Sequence, residues 1–223
     1  MTSVVSLRLR EQETVYIPEH FRVRDNTTAL AFMRTNPFAI LISSSDEGPF
    51  ATHVPLVIRE AGDQLYLRGH VAKANPHWKY LEKNPQNTLV IFQGPHAYIS
   101  PAHYATREAV PTWNYGTVHA YGKARTFSAA GELLDLLQEL IPMFDPDYAG
   151  QWASLSSAYR ERMLSHIVGF EITVTKIEAK FKLSQNRTRE EQENIIVSLS
   201  AAGDSSISGT ANLMRTEGLG VKK

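Results

Sequence analysis

Residues 112–127 alternate in side-chain character over as long a stretch as any in the chain. In an extended strand Trp113, Tyr115, Thr117, His119 and Tyr121 share one face, and Asn114, Gly116, Val118, Ala120 and Gly122 share the other. An extended segment must pair its backbone amides and carbonyls, so this run requires a sheet. Its partners can be read from the same alternation. Phe38–Ile42 and Phe50–Ile58 flank turn chemistry from Ser43 to Pro49 and read as a hairpin. Gln64–His70 follows the turn Ala61-Gly62-Asp63, with Leu65 and Leu67 on a core face and Tyr66, Arg68 and His70 on a face able to present chemistry. Thr88–Gln93 and Ala97–Ser100 are strands expected to meet at a corner, because Gly94-Pro95 interrupts them. Ile167–Lys182 is the last strand, with Val168, Phe170, Ile172 and Val174 on one face.

Helices are inserted between these strands. Asp25 or Asn26 caps one that runs to Thr35 and ends before Asn36-Pro37. Asn75-Pro76 opens a short helix to about Lys83, with Asn75 as its cap. Gly131–Ile141 carries an apolar stripe of Leu133, Leu136, Leu137, Leu140 and Ile141, and Pro142 is expected to stop it. Ser156–Leu164 is another helix, and Thr188 with Glu191 forms a capping box for a helix to about Leu199. Strands and helices do not alternate regularly, which argues against a doubly wound parallel sheet. The expectation is a mainly β, α+β fold: an antiparallel barrel with helical inserts. Residues 1–14 read as a loose leader, 15–200 as the barrel domain, and 201–223 as a Gly- and Ser-rich tail, partly disordered.

Composition narrows the chemistry. A chain of 223 residues buries a core without covalent staples. Without cysteine it has no disulfide, thiolate metal site or cysteine nucleophile. Lys plus Arg and Asp plus Glu both number 23, so no overall field draws it to nucleic acid or anionic lipid. No apolar run approaches the roughly 20 residues that span a bilayer. The first eight residues lack the pattern of a secretory signal, and a cytoplasmic location is expected. No dinucleotide fingerprint, phosphate-binding P-loop, nucleophile elbow or HExxH zinc motif occurs, and catalytic residues are left unassigned. Eight histidines include no i,i+4 pair, so no metal site is expected.

Four segments concentrate polar and aromatic groups. In Ala51–Leu56, Thr52 and His53 interrupt an apolar strand, and Pro55 marks an edge whose Thr52 and Val54 amides would be open to a planar ring. In Arg68–Trp78, Arg68, His70 and Lys73 place three cationic groups beside Gly69 and Asn75, which suits a phosphomonoester. In the aromatic run from Phe92 to Tyr115, Trp113 and Tyr115 suit a ring-binding wall, a subunit interface or ordinary sheet packing. In Lys180–Arg187, Lys182, Ser184, Gln185 and Arg187 form either a row of donors for a ligand's polar edge or a surface turn.

Together these strings resemble the PaiB family, described as FMN-binding negative transcriptional regulators. The matching stretches include Tyr16–Phe21, Ala51–Leu56, Gly69–Pro76, Ile91–Pro101, Val110–Tyr115, Ile167–Ile172 and Lys182–Arg187, in the family's order. The resemblance implies a split β-barrel of the pyridoxamine-phosphate-oxidase type and a homodimer with FMN in a cleft at its interface. It makes Thr52, His53, Arg68, His70, Lys73, Asn75, Trp113, Lys182, Ser184, Gln185 and Arg187 the candidate FMN contacts. Flavin reductase or oxidase chemistry is then open to the protein. Two alternatives stand beside it. One is a DNA-binding repressor without flavin, which has no basic footprint in this charge balance. The other is a haem-binding or haem-degrading split barrel using His20, His53, His70, His77 or His119.

Overall fold

The computed structural model describes residues 14–220, so nearly all of the expected leader lies outside the described residues. Among the described residues eight strands occur: β1 Arg22–Val23, β2 Phe38–Ser45, β3 Gly48–Pro55, β4 Val57–Ala61, β5 Gln64–Ala72, β6 Thr88–Ile99, β7 Thr112–Phe127 and β8 Ile167–Lys182. Seven α-helices accompany them: α1 Asn26–Thr35, α2 His77–Lys83, α3 Ala130–Phe144, α4 Tyr148–Ser154, α5 Ser157–Leu164, α6 Arg189–Ser200 and α7 Ser205–Thr216. The residues pack as two compact units, where one barrel domain was expected. The first comprises residues 33–92 and 119–177, and the second 14–32, 93–118 and 178–220. Strands β6, β7 and β8 contribute residues to both.

In the first unit the strand order is β3-β2-β6-β7-β8-β5-β4, and every register described is antiparallel. Alternation produces this. Leu65, Leu67, Phe170 and Ile172 are fully buried, while their sequence neighbours Tyr66, Glu171 and Thr173 are partly exposed. Helix α3 buries Leu133 and Leu136 against Phe127 and Leu164. In the second unit the ring of Phe32 lies 4.8 Å from that of Phe181. β1 pairs with the end of β8 through Arg22↔Lys180 and Val23↔Ala179.

Several local expectations are corrected. The hairpin turn is tighter than Ser43–Pro49, because Ser45 pairs with Gly48 and Gly48 takes φ +125°. The expected strand Phe50–Ile58 divides at the buried Leu56, whose N–H donates to the Pro37 carbonyl at 3.0 Å. Gly94-Pro95 does not break β6. β2 pairs with β6 only over Thr88–Ile91, so Pro95 lies beyond that ladder, and the next amide, His96 N–H, donates to Ser206 Oγ at 3.0 Å. Pro142 does not stop α3, because in the last turn it removes little of the helical ladder, and Asp145 N–H still reaches the Ile141 carbonyl at 2.8 Å. The tail expected to be partly disordered forms α7. Asp204 caps it by accepting from Ser206 and Ile207 N–H, and Thr210, Ala211 and Met214 are buried. Among the described residues no helix is long and apolar enough to cross a membrane.

Candidate functional site

The candidate residues fall into two groups, one in each unit. In the first unit β3 begins the strand order and pairs with β2, so its other backbone edge is open in this chain, as Pro55 suggested. Thr52 faces inward from this strand, where its hydroxyl accepts from Asn75 Nδ2 at 3.2 Å and lies 2.7 Å from His77 Nδ1. The other ring nitrogen of His77, Nε2, lies 2.9 Å from Ser43 Oγ. The Thr52 hydroxyl thus bridges Asn75 and His77, and both ring nitrogens of His77 have hydroxyl partners. His77 is wholly buried, and burial pushes its pKa down to about 4. Wholly buried and hydrogen-bonded through both nitrogens, His77 presents no accessible ring nitrogen to an iron.

Asn75 does not cap α2 as expected, since Pro76 occupies that position. Instead Asn75 Oδ1 accepts the N–H of His77, the first helical residue, at 3.0 Å. The preceding loop is fixed by its main chain. Lys73 N–H donates to the His166 carbonyl at 2.8 Å, and the Lys73 carbonyl accepts from Trp78 Nε1 at 3.1 Å. The Lys73 side chain is exposed and makes no ion pair among the described residues. On the strand just before it, His70 Nδ1 is buried without a hydrogen-bond partner, and burial lowers the pKa of the ring. A Cβ at Gly69 would sit 2.8 Å from Leu56 Cδ2 and 2.9 Å from Phe170 Cζ, so any side chain there would displace both. His53 is exposed, with its ring stacked at 6.2 Å on Phe38.

Arg68 is placed differently from the other expected phosphate ligands. Its side chain is 6% exposed and ion-paired to two carboxylates, Glu139 at 2.5 Å and Glu171 at 3.3 Å. Arg125 joins the same network, to Glu171 at 3.3 Å and Glu132 at 2.7 Å. A guanidinium already neutralised by two carboxylates offers little to a phosphate.

The second group surrounds the end of β8. Lys182 Nζ donates to the Trp113 carbonyl at 3.0 Å and also to the Thr112 hydroxyl. Burial and the neighbouring Lys180 both lower the Lys182 pKa. Ser184 takes φ +65°, the only non-glycine residue in the left-handed region among those described. It is held there from both sides. Its hydroxyl donates to Asn114 Oδ1 at 3.0 Å, and its carbonyl accepts from Gln192 Nε2 at 3.2 Å. Gln185 folds back so that its Oε1 accepts from Leu183 N–H at 2.7 Å. The Arg187 guanidinium lies 3.8 Å above the Tyr104 ring. Lys182, Ser184 and Arg187 line one cavity of about 250 Å³. Trp113 is half-exposed, with the Tyr98 ring edge-on at 5.9 Å.

The sequence reading missed Ser43, Asn114 and Gln192, and it held His77 only as a candidate haem ligand. Asn114 had a visible signal, as a polar residue on the small-residue face of β7. Ser43 and Gln192 had none, because they act only through partners distant in sequence.

Comparison with known proteins follows this geometry. A family described as "Putative FMN-binding domain" matches residues 15–176. The protease synthase and sporulation protein PAI 2 of Bacillus subtilis is 39% identical over 202 residues, covering 90% of this chain and 96% of that protein. Among solved structures, the flavocytochrome Anf3 of Azotobacter vinelandii aligns with a TM-score of 0.57 at 17% identity, covering 77% of this chain and 74% of that one. The FAD and haem binding protein of Mycobacterium smegmatis aligns with a TM-score of 0.50 at 16% identity, covering 72% and 73%. At such identities the structural likeness bears on fold alone. That fold is an antiparallel eight-stranded sheet with helical inserts.

Proposed function

Because the chain belongs to the PaiB family and carries that family's FMN-binding domain, we propose that it acts as an FMN-binding homodimer whose bound flavin carries out electron transfer. Lys73, His70 and Asn75 would hold the FMN phosphate, with the main chain of His53 along the open β3 edge serving the ring. The observation that carries this reading is Lys73: a lysine on a loop fixed through its own N–H and carbonyl, with its side chain exposed and in no ion pair among the described residues, three positions after His70. A point charge with nearby neutral donors suits a phosphomonoester. Asn75 is positioned for the task by Thr52 and the buried His77, which fix where its side chain points. Arg68 is assigned to the fold, where it ties α3 to the sheet through Glu139 and Glu171.

Bound FMN supplies one- and two-electron redox chemistry. The chain's own residues bind and orient it, and no protein acid or base is required. Any regulatory role would then act through the state of the flavin, which fits a chain with no net charge better than direct reading of DNA does. The test is a titration of the purified apoprotein with FMN, followed by flavin fluorescence. Saturable quenching in the micromolar range, with one FMN per chain, is expected. Fluorescence that stays at its free-solution value would remove the reading.

A further inference from the structure

The cavity at the end of β8 is not needed for the phosphate site at Lys73, and its lining has a chemistry of its own. Three basic side chains face it, His20, Lys182 and Arg187, and no carboxylate lines it. Phe21, Val110 and Pro111 supply an apolar wall. Its volume, about 250 Å³, is below the range of pockets for drug-sized ligands, so its occupant is small.

The basic groups are pre-positioned. Arg187 rests on the Tyr104 ring at 3.8 Å, and Lys182 is tied to β7 through the Trp113 carbonyl and the Thr112 hydroxyl. The turn between them includes Ser184 at φ +65°, a conformation that is strained for a non-glycine residue. It persists because Asn114 and Gln192 hold both ends of the residue. A strained turn braced in this way, setting two cations on one cavity, is a binding device.

We propose that this cavity binds a small organic anion, a carboxylate on an apolar body of about one ring. The planar Arg187 fork matches a carboxylate. Lys182 has already given two of its three protons to β7, which leaves the planar Arg187 fork as the main donor of the site. The apolar wall favours an aryl or branched acid over acetate. This inference does not depend on the FMN reading.

The probes are benzoate, acetate and inorganic phosphate, titrated calorimetrically into the full chain at constant ionic strength. Benzoate is expected to bind saturably and more tightly than either of the others. Arg187→Gln should weaken benzoate at least tenfold and leave FMN uptake unchanged. Arg187→Lys, which keeps the charge and loses the fork, should fall between the two and guards against misfolding of the first variant. Absence of saturable benzoate binding, or phosphate binding more tightly than benzoate, would overturn the proposal. So would loss of FMN together with benzoate in Arg187→Gln, which would make the cavity part of the flavin site. Benzoate binding by a chain that ignores FMN would sink the flavin reading and leave this one standing.

Discussion

The Thr52 hydroxyl lies 2.7 Å from Nδ1 of a wholly buried His77. The pair joins the open edge strand to the helix that follows the Lys73 loop, in a site whose burial favours the neutral imidazole.

That neutrality makes stability depend on pH. Burial pushes the His77 pKa from 6.5 down to about 4. Between those values the unfolded chain binds a proton that the folded chain refuses, so stability rises with pH across the window. The contribution is complete above about pH 6.5 and is lost as the pH falls through about 4, at most about 3 kcal/mol in size. Urea midpoints measured at pH 7 and pH 5 should show the drop, and His77→Gln should flatten it. An equal drop in His77→Gln would assign the effect to other groups.

Lys73→Ala should separate binding from folding. Its ammonium has no ion pair among the described residues, and its main-chain bonds survive truncation. The melting temperature should stay within experimental scatter while FMN affinity falls at least tenfold. Unchanged affinity would move the phosphate elsewhere.

Arg68→Met should do the reverse. It leaves Glu139 and Glu171, 33% and 19% exposed, without the buried guanidinium that pairs them. Breaking a buried pair on one side costs about 3 kcal/mol. Chemical denaturation should report that loss, with FMN affinity of the folded fraction unchanged. A stable variant that no longer binds FMN would return Arg68 to the phosphate site.

Gly122→Ala tests how tightly β7 packs in the first unit. A Cβ at Gly122 would meet the Thr173 backbone carbonyl and Ile172 Cγ2, and backbone cannot rotate aside. Destabilisation of about 1–3 kcal/mol is expected, read as a lower denaturation midpoint. A neutral result would mean that β8 shifts freely there.

The strands were legible because their signal is local. Alternation in Thr112–Phe127 and Ile167–Lys182 predicted both strands to the residue, and the capping box predicted the start of α6. Pro95 and Pro142 were misread because the effect of a missing N–H depends on whether anything needed it. Arg68 was placed on the correct face of β5, yet what it meets there is decided by Glu139 and Glu171, far along the chain. The same holds for His77 with Ser43, and for Ser184 with Asn114 and Gln192. Residue types and spacing announce a site's donors, whereas the partners that use them up appear only when distant segments meet.

Neither unit is a continuous stretch of polypeptide. β7 passes from one to the other at Val118 and His119, and β8 at Ile177 and Glu178. No single break in the gene would therefore yield either unit whole. A one-residue deletion near either junction would also invert which side chains point inward for the rest of that strand. Along β7 and β8, substitutions should be tolerated in natural variants far more readily than changes in length.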